Sequence, residues 1–130
     1  MQVKDLKVLV CDDSMLIRKK MKDALAKAGC ENIQEAENGQ IAVDKCKEDA
    51  PHIVFMDIVM PDKDGIKALT EIKEFNSKIK VIMASSAGTQ SHLKKAIHLG
   101  AYDFIQKPIA QNSIDSIIDK ILKEGEESRV

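Results

Sequence analysis

Short apolar runs alternate along this chain with longer stretches in which apolar residues recur every three or four positions. Leu6 to Cys11, Ile33 to Ala36, Ile53 to Asp57, Lys80 to Ala84 and Asp103 to Gln106 have the length and composition of strands. The near-continuous apolarity of the fourth run fits a strand buried on both faces. Ser14 can cap a first helix with Ile17, Met21, Leu25 and Ala28 on one side, and Gly29 can end it. Asn38-Gly39 turns the chain into a second helix, about Gln40 to Asp49, which Pro51 stops. A third helix turns Ile66, Leu69 and Ile72 inward, and a fourth runs from about Gln90 to Leu99 before Gly100. Ile114, Ile117, Ile118, Ile121 and Leu122 stripe a fifth. The polar end reads as frayed, so one domain is expected over residues 1–124 with a tail over 125–130.

Strand and helix alternate five times, which predicts βαβ units, a parallel sheet and an α/β fold with helices on both faces. A length of 130 residues suits one such domain. Hydrophobic residues make up 44% and charged residues 32%, yet the net charge is only −1, which argues against a nucleic-acid partner or a membrane surface. No apolar run approaches the ~20 residues that cross a bilayer, and a cytoplasmic location is expected. Cys11, Cys30 and Cys46 are widely spaced and lack a C-x-x-C pair, so they read as reduced thiols. His52, His92 and His98 form no ligand-like group, and surface or helix-face positions are expected for them. Met15, Met21, Met56, Met60 and Met83 read mostly as packing, with Met15 and Met60 placed to tune access to a site at the strand ends. Arg18-Lys19-Lys20 reads as solvated helix surface.

Candidate chemistry enters at the ends of the runs. Asp12-Asp13 follows the first strand, Asp57 ends the third, and Lys107 follows the fifth. In a parallel sheet these ends share one edge, where ligands of open α/β sheets bind. Singly, Asp12-Asp13 would be a helix cap, Ser85 an ordinary strand-end serine, Lys107 a solvated lysine and Phe104 core. Their coincidence on one edge points elsewhere. Carboxylates ~4 Å apart repel by about 4 kcal/mol per pair at an effective dielectric of ~20. Such a cluster calls for a cation, and an open site with few protein ligands suits Mg²⁺ better than a calcium cage. Mg²⁺ also binds phosphate oxygens, so the site could hold a phosphoryl group beside a carboxylate nucleophile.

Asp12-Asp13, Met56-Asp57-Ile58-Val59-Met60-Pro61 with Asp64-Gly65, Ser85 and Lys107-Pro108 together resemble the receiver domain of bacterial two-component response regulators, over about residues 5 to 124. The stand-alone chemotaxis regulators are the nearest in overall pattern. The resemblance implies a flavodoxin-like (βα)5 doubly wound sheet with strand order 2-1-3-4-5. It implies Asp57 as phosphoacceptor, a phosphohistidine on a sensor histidine kinase of the chemotaxis type as donor, and self-catalysed modification rather than enzymatic turnover. It implies Mg²⁺ held by Asp13 directly, Asp12 through water, Asp57, and the backbone carbonyl of Val59. Lys107 would pair with Asp57 at rest and with the phosphoryl group afterwards, next to a cis peptide at Pro108.

Ser85 would then donate to the phosphoryl group and draw the Ser86-Ala87-Gly88 loop inward. The fifth-strand aromatic of the family, here Phe104 where many chemotaxis regulators carry Tyr, would follow into the vacated space by packing alone. Val59 and Ala87 occupy the variable positions that tune phosphoryl lifetime, and neither side chain can orient a water, so slow self-dephosphorylation is expected. The signal would leave from a monomer through the face of the fourth helix, fifth strand and fifth helix, including Gln90 to Lys95, Tyr102, Phe104 and Ile109. Its partner would be a flagellar motor switch protein, with a phosphatase as a further partner. A phosphorelay intermediate serving a histidine phosphotransfer protein is the alternative within the class. An aspartyl-phosphate phosphatase would need a second acid near Asp57, and a flavin binder would need small and hydroxyl residues where Cys11-Asp12-Asp13 stands.

Overall fold

The computed structural model describes residues 2–60, 63–86 and 91–127, with side chains through residue 125. Five parallel strands, β1 (Lys7–Cys11), β2 (Asn32–Ala36), β3 (Ile53–Asp57), β4 (Lys80–Ser85) and β5 (Asp103–Gln106), pair in the order β2-β1-β3-β4-β5. The helices are α1 (Met15–Lys27), α2 (Gly39–Glu48), α3 (Gly65–Phe75), α4 (Ser91–His98) and α5 (Gln111–Glu127), and a 3₁₀ turn over Val3–Asp5 precedes β1. The doubly wound flavodoxin-like topology is therefore present. α5 continues to Glu127, beyond the point where its apolar stripe ends.

Alternation along each strand divides the core in two. Val8, Val10, Ile53, Phe55, Ile82, Ala84 and Ile105 face α1 and α5, against Met21, Leu25, Ile114, Ile117 and Ile118. Leu9, Cys11, Val54, Met56, Val81 and Met83 face the other way, against Ala42, Val43, Leu69, Ile72 and Ala96 of α2, α3 and α4. Both faces of β3 and β4 are buried, which explains their unbroken apolar runs. Cys11, Cys30 and Cys46 are buried free thiols, and burial pushes Cys11 and Cys46 up to about 12.

The loops at the carboxyl edge end in side-chain caps: Ser14 Oγ accepts from Ile17 N, Asn38 Oδ1 from Ile41 N, and Asp64 Oδ1 from Lys67 N. At the opposite edge Gly29 adopts φ +103° after α1, a backbone conformation that costs glycine little. Gly65 has a steric role. A Cβ there would lie 2.0 Å from the Asp57 carbonyl oxygen, and the Gly65 amide donates to the Ile58 carbonyl at 2.8 Å. The start of α3 is thus pressed against the end of β3.

Several apolar residues are not where their type alone would put them. Met15, singled out with Met60 as placed to tune access, is 75% exposed in the first turn of α1 rather than packed, and Phe104 is 47% exposed on the edge strand. Met60 is buried, with its sulfur 3.4 Å from Cys11 Sγ. His52 is half-buried and accepts the Lys7 amide at Nδ1, 2.9 Å away.

Gly65→Ala is expected to lower unfolding free energy by about 3 kcal/mol, the upper part of the usual overpacking range, as read from urea denaturation. An unchanged midpoint would show that α3 slides from β3 at little cost.

Candidate functional site

Register places the site. Cys11 pairs with Met56, so Asp12 stands level with Asp57 in the neighbouring strand. Asp57 pairs with Ala84, and Ser85 pairs with Gln106, one residue before Lys107. The Lys107 amide donates to the Ser85 carbonyl at 2.7 Å, carrying the β4–β5 pairing one residue further.

Carboxylate oxygens of Asp12, Asp13 and Asp57 lie within 4.8 Å of one another. Asp12 and Asp57 are buried and Asp13 is exposed. Lys107 Nζ reaches into the group, 2.7 Å from Asp12 Oδ2 and 3.3 Å from Asp57 Oδ1. The ammonium therefore pairs with Asp57, as expected, and also bridges to Asp12, to which it lies nearer. The Ser14 amide donates to Asp12 Oδ1 at 2.9 Å, so both Asp12 oxygens are engaged.

One ammonium does not neutralise three carboxylates. Burial, then the Asp12 charge, hold the Asp57 carboxyl above the usual range, against the lowering effect of Lys107. Burial works against the Lys107 ammonium, but its hydrogen bond to Asp12 and the charge of Asp57 outweigh it, and its pKa is raised. Ser85 is 1% exposed, and its buried Oγ has no hydrogen-bond partner among the described residues. An unsatisfied buried hydroxyl costs ~1–3 kcal/mol, which a ligand oxygen at this edge would recover. The residues fit a small hard cation: the donors are carboxylate oxygens, their charge exceeds that of Lys107, and Asp13 is open to solvent.

The model for the response regulator receiver domain matches residues 8–119. The chain belongs to the response regulator receiver family. Relatives include the chemotaxis protein CheY of Bacillus subtilis, 46% identical over 89% of this chain and 97% of its own length. CheY of Thermotoga maritima is 42% identical over 90% and 98%. Among solved structures, the receiver domain of NtrX from Brucella abortus superposes with a TM-score of 0.84 at 32% identity, covering 90% of this chain and 98% of that one. Against a longer NtrX chain, of which this chain spans 28%, the TM-score is 0.86. This receiver is a phosphorylatable response regulator of the CheY-like kind, a signalling protein rather than a classical enzyme. Receiver domains bind Mg²⁺ at an acidic pocket, and this chain brings Asp12, Asp13 and Asp57 into an acidic cluster. Among the described residues no helix is long and apolar enough to cross a membrane.

Of the residues singled out in the sequence, Asp12, Asp13, Asp57, Ser85 and Lys107 share the edge. Val59 follows them, 59% exposed, and the Lys107-Pro108 bond is cis. Ala87, Gly88, Gln90 and Pro61 lie outside the described residues. Sequence reading missed Arg18, assigned there to solvated surface. Its side chain is only 12% exposed, donating from Nη1 to the Asp12 carbonyl at 2.7 Å and from Nε to Glu35 Oε1 at 3.1 Å. Its place one turn after the Ser14 cap was the available signal.

In EDTA, Asp57→Asn is expected to raise stability by on the order of 1 kcal/mol at neutral pH by relieving like-charge repulsion. Because Asp57 holds its proton more tightly folded than unfolded, its favourable contribution is present at low pH and lost as pH rises through the raised value. The advantage of the variant should therefore vanish below pH ~4, the ordinary aspartate range. Thermal unfolding across pH checks both. A variant less stable at neutral pH would mean that the Lys107 pair outweighs the repulsion.

Proposed function

We propose that Asp57 accepts a phosphoryl group from the phosphohistidine of a sensor histidine kinase, and that the modified protein signals through a surface change in bacterial chemotaxis. The observation that carries this reading is a buried Ser85 hydroxyl with no partner among the described residues, on the same edge as an Asp57 carboxylate held by Lys107. In the transfer, an Asp57 carboxylate oxygen attacks phosphorus, the phosphorus–nitrogen bond to the donor imidazole breaks, and the leaving imidazole is protonated. Asp57 Oδ1 faces Lys107, and no described residue donates to its other oxygen, which is the one free to attack.

Asp13, Asp57 and the Val59 carbonyl would hold Mg²⁺, with Asp12 acting through water because its own oxygens are already bonded to Ser14 and Lys107. When bound, the ion supplies charge neutralisation between the carboxylates and the incoming phosphoryl oxygens. Lys107 then pairs with a phosphoryl oxygen, and Ser85 donates its hydroxyl proton to another. That new bond draws the end of β4 toward the phosphoryl group, and Phe104, exposed on β5, gains an inward alternative. The transition is a shift of population between two packings.

Output runs through α4, β5 and α5, where Ile97 and Phe104 are exposed, toward a flagellar motor switch protein. Support for this partner comes from the B. subtilis and T. maritima relatives, both chemotaxis proteins. On the same side Tyr102 donates its hydroxyl to Glu124 at 2.6 Å, with Lys120 and Lys80 ammoniums 4.8 and 5.6 Å from its ring centroid. Exposed Met15, Leu16 and Val59 flank the acidic edge and give the donor, or a phosphatase, an apolar footing in the cytoplasm. The protein acts as a monomer in this reading.

Intact mass after incubation with Mg²⁺ and acetyl phosphate should show one added phosphoryl group, absent in Asp57→Asn and abolished by EDTA; no adduct from any donor would end the phosphoacceptor reading. Phosphate release should be slow in the parent and severalfold faster in Val59→Asn and Ala87→Glu, whose side chains can orient water. Equal rates would remove these two positions from the control of lifetime.

A further inference from the structure

We propose that Arg18 is a positioning residue for the Asp12-Asp13 pair, locked into that task by Glu35 on the edge strand β2. The inference rests on the reading of those two carboxylates as the cation-holding pair. Arg18 begins the second turn of α1, its amide donating to the Ser14 carbonyl at 3.0 Å, and it lies between Ser14 and two exposed lysines, Lys19 and Lys20. Its guanidinium nevertheless turns back over the site.

Asp12 is the first residue beyond β1, where regular pairing stops. Its amide still reaches the Ala36 carbonyl at 3.2 Å, but its carbonyl is taken by Arg18 Nη1 at 2.7 Å. That carbonyl lies in the same rigid peptide plane as the amide and Cα of Asp13. Fixing the direction of the Asp12 carbonyl therefore fixes where the Asp13 carboxylate starts from. The turn around Asp13 has a second restraint on its far side, where the Ser14 amide donates to Asp12 Oδ1 at 2.9 Å.

The task suits a guanidinium. One planar fork bonds a carbonyl and a carboxylate together, whereas a lysine presents a single ammonium. Glu35 supplies the carboxylate to Arg18 Nε at 3.1 Å and is itself steadied by Lys22 at 3.0 Å. Lys22 shares Glu35 but makes no bond to Asp12, so it serves as an internal control.

The test compares full-length wild type with Arg18→Lys, Arg18→Ala and Lys22→Ala. Amide hydrogen exchange at Asp12 and Ser14 is followed in EDTA, and the Mg²⁺ concentration needed to raise the unfolding temperature is measured separately. Both Arg18 variants should exchange about tenfold faster at these amides and need about tenfold more Mg²⁺, while Lys22→Ala matches wild type in both readouts. Wild-type exchange in Arg18→Lys would overturn the proposal, and so would equal effects in Lys22→Ala, which would assign the change to general loosening around Glu35. If wild type shows no response to Mg²⁺, the cation reading fails, and exchange in EDTA still decides whether Arg18 sets the geometry of the turn.

Discussion

Repulsion among Asp12, Asp13 and Asp57 is the constraint around which the carboxyl edge of this receiver is arranged. Left to themselves, three carboxylates within 4.8 Å would separate or take up protons. Asp12 and Asp57 stay together largely because the backbone under them is fixed by contacts that carry no charge. β1 and β3 hold Asp12 and Asp57 level through backbone pairing, and two apolar layers clamp both strands. Lys107 offsets part of the charge but arrives from a distant strand, so its ammonium is in place only when β4 and β5 have paired. The site is strained electrostatically, with one ammonium among three carboxylates. A structure in this condition has a free-energy reason to accept a cation.

Much of this arrangement was legible in the sequence because each central strand is an apolar run that ends abruptly at a charge or hydroxyl. The ends of β1 and β3 could be read to the residue, and with them Asp12 and Asp57. Strand order was different, since alternation is compatible with several parallel topologies, and only the family resemblance supplied 2-1-3-4-5. Residue type misled at the margins. Met15 and Phe104 are apolar, but one occupies the first turn of a helix and the other an edge strand, where no second layer covers them. Glu124 to Glu127 lack apolar positions, so the sequence offered no periodicity with which to extend α5.

The roles least visible in sequence depend on direction rather than on residue type. The composition of a basic triplet does not distinguish Arg18, which folds back, from Lys19 and Lys20, which stay in solvent; only its position after the Ser14 cap does. Gly65 looks like a turn residue, yet what it provides is clearance for the Asp57 carbonyl. That Ser85 Oγ has no partner among the described residues is likewise a property of packing, since a serine at a strand end is ordinarily hydrated. These three features share a cause: the edge is crowded by backbone, and backbone crowding leaves little trace in composition.

Tyr102 has an optical consequence. The chain contains one tyrosine and no tryptophan, so near-ultraviolet emission excited in this protein originates almost wholly at that ring. The ring sits where β5 begins, tethered through its hydroxyl to α5 and overlain by two ammoniums. Burial, followed by the hydrogen bond to Glu124, pushes the phenol up, so the emitting species stays neutral across ordinary buffers. The molecule thus carries a native, single-site chromophore at the start of β5, at the opposite end of the sheet from the acidic edge.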